Sequence, residues 1–112
     1  MIQVEVEKQN ENITAFHMEG HSGYADYGSD IVCSAVSALA INCVNSIEQL
    51  TEDVFSVEQE EEQGMLDFRL QGTSSRETQI LLQSLVLGLS GISETYGEQY
   101  VTVEIVRRKS ER

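Results

Sequence analysis

Between Asp30 and Glu48 the chain runs for 17 residues without a single charge, IVCSAVSALAINCVNSI. No other feature limits the fold as strongly. The segment is longer than an ordinary strand, and neither glycine nor proline interrupts it. Its Val, Ile, Ser and Cys residues are middling helix formers, so length rather than propensity points to a helix from about Asp30 to Gln49. Val32, Val36, Leu39, Cys43, Ile47 and Leu50 form an apolar stripe at helical spacing. Ala35, Ala38, Ile41 and Val44 cover the other sides. Such a helix is expected to be buried nearly all round, which a second copy of the chain would help to achieve. A homodimer is therefore expected.

The remaining segments read as strands and one further helix. Ile2, Val4 and Val6 alternate with Gln3, Glu5 and Glu7, the pattern of a strand with one buried face. The polar QNEN turns the chain into a second strand, about Ile13 to Met18. Val54–Gln59 and Met65–Gln71 form a second hairpin, in which Leu66, Phe68 and Leu70 alternate with Asp67 and Arg69. Ser74 and Glu77 have the spacing of a capping box that opens a helix running to about Tyr96 and stopping at Gly97. Gly88 and Gly91 within it read as sites of close packing. Val101, Val103 and Ile105 make a last strand before a charged tail. The order is ββαββαβ. It predicts one α+β domain over residues 1–112, a two-layer arrangement with an antiparallel or mixed sheet and both helices on one face.

Length and charge narrow the function. A chain of 112 residues buries a real core without disulfides or metals. Its net charge of -12 repels phosphate backbones, which argues against nucleic-acid binding and favours a basic protein partner. The opening MIQVEVEKQ lacks the basic start and apolar core of a signal peptide, and no membrane span is expected. A cytoplasmic location follows as the expectation. In that compartment a structural disulfide is unfavoured. Ten residues apart on one helix, Cys33 and Cys43 are also roughly 15 Å apart, too far to bridge.

The two thiols thus need separate explanations. Cys43 falls on the apolar stripe and reads as a small buried hydrophobe. Cys33 lies in the first helical turn, roughly 95° from that stripe, where the helix dipole favours a thiolate. Ser37 follows one turn later on the same side. Free N–H groups at the helix start, that of Cys33 included, are expected to be available to an oxyanion. His21, twelve residues upstream, is placed to act as a base if the intervening loop folds back. Gly20, Gly23 and Gly28 give that loop conformational freedom, and Tyr24 and Tyr27 give it aromatic surface to close over a peptide or to pack the loop down. Asp30 is an ordinary N-cap residue, and from the residues alone it caps the helix, orients His21, or does both. A metal site from His17, His21, Cys33 and Cys43 has no supporting spacing, so neither metal nor cofactor is expected. His17 reads as an ordinary strand residue, and the acidic run Glu58–Gln63 as a solvated hairpin turn. A redox-sensing thiol and a non-catalytic protein that only holds a peptide remain as other readings of the same residues.

Gly20-His21, then Tyr27-Gly28-Ser29-Asp30-Ile31-Val32-Cys33-Ser34-Ala35-Val36-Ser37-Ala38-Leu39, closely resembles the signature of the ribosomal-processing cysteine proteases, the Prp or YsxB-like family. Length and element order agree along essentially the whole chain. The family usually reads GHA where this chain has Ser22, a change expected to leave the site intact. The resemblance implies a homodimeric cytoplasmic endopeptidase with a mobile loop over its site. Such an enzyme removes a short N-terminal extension from large-subunit ribosomal protein number twenty-seven, cutting after an aromatic residue. It implies Cys33 as nucleophile and His21 as its base, with Asp30 in support, Gly20 permitting the turn and Ser37 lining the site.

Overall fold

A computed structural model describes residues 1–26 and 29–108. The first hairpin sets the frame. Strands β1 (Ile2–Gln9) and β2 (Asn12–Glu19) pair antiparallel, joined at Asn10 and Glu11, with Asn10 at a φ of 58°. A bulge beside Glu7 and Lys8 shifts the register. It lets Ile13 on one side, and Phe16 and Met18 on the other, all reach the core despite their broken alternation.

Helix α1 (Ile31–Leu50) follows, then β3 (Phe55–Glu60), β4 (Met65–Leu70), α2 (Arg76–Tyr96) and β5 (Val101–Arg108). The sheet order is β3-β4-β2-β1-β5. All neighbours pair antiparallel except β1 and β5, which are parallel. The sheet is therefore mixed, with α2 as the crossover that a parallel pair requires. Val4, Val6, Phe16 and Phe68 from the sheet meet Val32, Val36, Ile47, Leu82 and Leu89 from the helices in one core. The α+β order expected from the sequence is the one observed.

The opposite sheet face is polar and tied by charge. Glu7, only 7% exposed, lies between Arg69 and Arg108, each at 3.0 Å. Burial alone would raise its carboxyl, but the two guanidiniums outweigh it and hold the carboxyl low. Arg69 also reaches Asp67, and His17 bonds both Glu19 and Asp67. His17 is thus a member of this network and more than an ordinary strand residue. The Glu19 bond, helped by Asp67, raises its pKa against the opposing effect of burial.

Four expectations change. Helix α1 is not buried all round within one chain, because the sheet and α2 cover only part of it. Its buried stripe is Val32, Val36, Ala40, Cys43 and Ile47, while Leu39 and Leu50 lie largely outside. By length and composition this helix is also apolar enough to cross a membrane, contrary to the expectation of no such segment; in the fold its buried stripe packs into the core. The N-cap of α2 is Ser75, not Ser74. Asp53 accepts from both the N–H and the hydroxyl of Ser75, whose oxygen in turn accepts from the Thr78 N–H. Ser74 instead accepts from Gln79, a side chain that also pairs with the backbone of Ile13. Finally, Gly88 packs against Leu39, whereas Gly91 faces open space. Gly97 ends α2 as expected, with a φ of 116°.

Candidate active site

The site forms where three pieces of chain converge: the end of β2, the first turn of α1 and the β3–β4 turn. A cleft of about 220 Å³ opens there, and its lining includes Gly20, His21, Cys33, Ser37 and Glu61. Histidine and thiol, twelve residues apart in sequence, thus face one space.

Asp30 explains why α1 starts where it does. Its Oδ1 accepts the N–H groups of Val32 at 2.9 Å and Cys33 at 3.0 Å, the hydrogen bonds of an N-cap. Its Oδ2 accepts from the Ser22 hydroxyl and from the N–H groups of Tyr24 and Ala25. Burial would raise this carboxyl, but those donors, Ser22 first and Cys33 next, outweigh it and hold the pKa at about 2. Asp30 therefore ties the loop to the helix and stays ionised. Both of its oxygens serve the cap and the loop.

The same arrangement corrects a further expectation. The N–H groups of Val32, Cys33 and Ser34 all bond to Asp30, the last to its carbonyl, so these three, that of Cys33 included, are not free for an oxyanion. The donor at the sulfur comes from the loop. The backbone N–H of Ser22 points at Cys33 Sγ from 3.2 Å, where a nucleophilic sulfur carries its charge. Ser22 was the one departure noted within the motif, and it is 2% exposed. Its hydroxyl bonds Asp30 and accepts the Tyr24 N–H. A buried serine next to His21, eight residues before a capping aspartate, was the available signal for this tie.

His21 projects from the end of β2 and is exposed. Its Nε2 lies 2.9 Å from the carbonyl oxygen of Glu62 in the β3–β4 turn. The acidic run is solvent-exposed, as its reading as a solvated turn expects, and it is also a wall of the site, with Glu60 and Glu61 lining the cleft. Gly20 is required by its surroundings. Its φ is +105°, and a Cβ there would come within 2.3 Å of the Met1 carbonyl oxygen. Tyr24 does not line the cleft; it stands edge-on to Tyr96 and Tyr100, pinning the loop toward α2 and β5. Gly23 lies in the loop at a φ of +76°, and Tyr27 and Gly28 lie outside the described residues.

Cys43 stands apart, 5% exposed in the core, with burial pushing its thiol up to about 11. Both cysteines are free thiols. Among the described residues no group of three His, Cys, Asp or Glu side chains is placed to hold a metal ion.

A thiol at a helix start, a neighbouring imidazole and a cleft open to solvent make up the equipment of a thiol-dependent hydrolase. The comparisons give that class a family. Residues 1–102 match the model of the cysteine protease Prp family. The ribosomal processing cysteine protease Prp of Staphylococcus aureus is 33% identical over 99 residues, covering 88% of this chain and 93% of that one. The enzyme of the same name from Bacillus subtilis is 27% identical over 112 residues, covering 95% and 100%. The structure of S. aureus Prp with a covalently linked product peptide superposes with a TM-score of 0.89 at 29% identity, covering 94% of this chain and 99% of that one. The chain belongs to the Prp family of cysteine proteases.

Proposed function

We propose that this protease removes the N-terminal extension of large-subunit ribosomal protein number twenty-seven, cutting after an aromatic residue. Cys33 is the nucleophile and His21 the base. The carrying observation is the shared cleft, in which the Ser22 N–H meets the Cys33 sulfur while His21 is held by the β3–β4 turn. A relative named for ribosomal processing and structures of Prp with peptides support the substrate class. The net charge of -12 suits a basic ribosomal protein.

In this reading His21 takes the Cys33 proton and the sulfur attacks the carbonyl carbon of the scissile bond. The proton passes to the departing amine as the C–N bond breaks, leaving a thioester. Water, deprotonated by His21, then releases the acid and restores the thiol. The work is done in the cytoplasm, where ribosomes are assembled. A homodimer is part of the same proposal, because Leu39, Ile41 and Leu50 of α1 remain exposed in a single chain.

Incubation with the extended ribosomal protein tests the reading by mass spectrometry. Wild type is expected to release the extension with a new aromatic C-terminus, and Cys33→Ala is expected to leave the substrate intact. Intact substrate in both reactions would refute the assignment.

A further inference from the structure

An imidazole serves as a base when a third group fixes which ring nitrogen carries the proton. Asp30 is the carboxylate that the motif offers for this, but its oxygens are taken up by the helix start and the loop. One partner of the His21 ring is a main-chain carbonyl. The oxygen of Glu62 can only accept, so at 2.9 Å it keeps a proton on Nε2 and leaves Nδ1 as the basic nitrogen.

The turn bearing that carbonyl is built against the end of β2. The Gly20 N–H donates to the carbonyl of Gln63 at 3.0 Å, and the Gly64 N–H closes the turn onto the carbonyl of Glu61 at 3.0 Å. Two successive carbonyls thus hold two successive residues, Gly20 by its N–H and His21 by its ring. Gly64 makes the approach possible. It sits at a φ of +61°, and a Cβ there would lie 2.3 Å from the Gly20 oxygen and 3.3 Å from His21 Cε1. The obstacle at Gly20 is backbone, which cannot swing aside as a flexible side chain would.

We propose that the turn at residues 61–64 is the positioning element of the catalytic pair. The Glu62 carbonyl fixes the His21 tautomer, and Gly64 is the positioning residue that lets it approach. The inference rests on the reading that Cys33 and His21 react together. During the reaction the thiol proton moves to Nδ1 and from there to the leaving amine, while the other ring proton stays on Nε2, donated to the Glu62 carbonyl throughout.

The test is the ring 15N signature of His21, read in a chain with only two histidines. His17→Gln supplies the assignment. Two variants move the carbonyl: Gly64→Ala, and one glycine inserted between Glu61 and Glu62, a turn position where added length is tolerated. Wild type is expected to show a protonated Nε2 and a bare Nδ1 at a pH where the ring is neutral. Whichever variant keeps a cooperative melt is expected to show mixed tautomers and a kcat at least about tenfold lower. A wild-type ring carrying its proton on Nδ1 would overturn the proposal. So would a folded variant with mixed tautomers and full turnover. Failure of wild type to cut the ribosomal protein would instead count against the function, since the tautomer is read without substrate.

Discussion

The two helices of this protein start with the same device and use it differently. Ser75 caps α2 by accepting one N–H, that of Thr78, and is itself held by Asp53 at the surface. Asp30 caps α1 from a buried position, and its second oxygen gathers the loop that carries Ser22 against Cys33. One cap stops a helix from fraying; the other ties helix, loop and thiol into one unit. The difference shows how a folding device becomes part of a site: the cap is buried, and its spare acceptor is given to the segment that carries the chemistry.

Removing each cap should expose that difference. Asp30→Ala loses the helix cap and leaves the buried Ser22 hydroxyl and the Ala25 N–H without their acceptor, while the Tyr24 N–H keeps only Ser22. We expect a loss of about 2–4 kcal/mol in urea unfolding, together with slower alkylation of Cys33. Ser75→Ala should cost only about 1 kcal/mol and leave that alkylation unchanged. Equal losses for the two would erase the distinction.

Acid sharpens the comparison at smaller amplitude. The folded Asp30 carboxyl titrates at about 2, below its ordinary 3.8. Its stabilising contribution is complete above pH 3.8 and is lost as pH falls through about 2. Asp53 is also lowered, by hydrogen bonds from Thr78 and then from Ser75. Urea midpoints between pH 5 and 2 should fall less steeply for Asp30→Asn than for wild type, and Asp53→Asn should flatten that slope less. A steeper slope for Asp30→Asn would reverse the assigned sign.

Much of this was legible because it is local. Asp30 stands eight residues from Ser22 and within one turn of Cys33, so the motif Gly20 to Leu39 carries the loop, the cap and the thiol together. Strand alternation and the long uncharged run likewise gave the element order. What stayed hidden was non-local or lacked a residue type. A main-chain carbonyl 41 residues from His21 leaves no side-chain signature, so the acidic turn read as solvent-facing. The buried stripe of α1 runs through Ala40 rather than Leu39, because the sheet and α2 set the facing direction. The bulge at Glu7 and Lys8 and the parallel pairing of β5 with β1 also follow from partners distant in sequence.

The central claim is that one of two thiols on the same helix is a nucleophile served by His21. Alkylation by iodoacetamide at pH 7, resolved for each cysteine by mass spectrometry, tests it most directly. The account predicts rapid modification of Cys33, slowed at least about tenfold in His21→Ala, while Cys43, with its thiol pushed up to about 11 in the core, stays unmodified. Equal, slow modification of both cysteines, indifferent to His21, would contradict it.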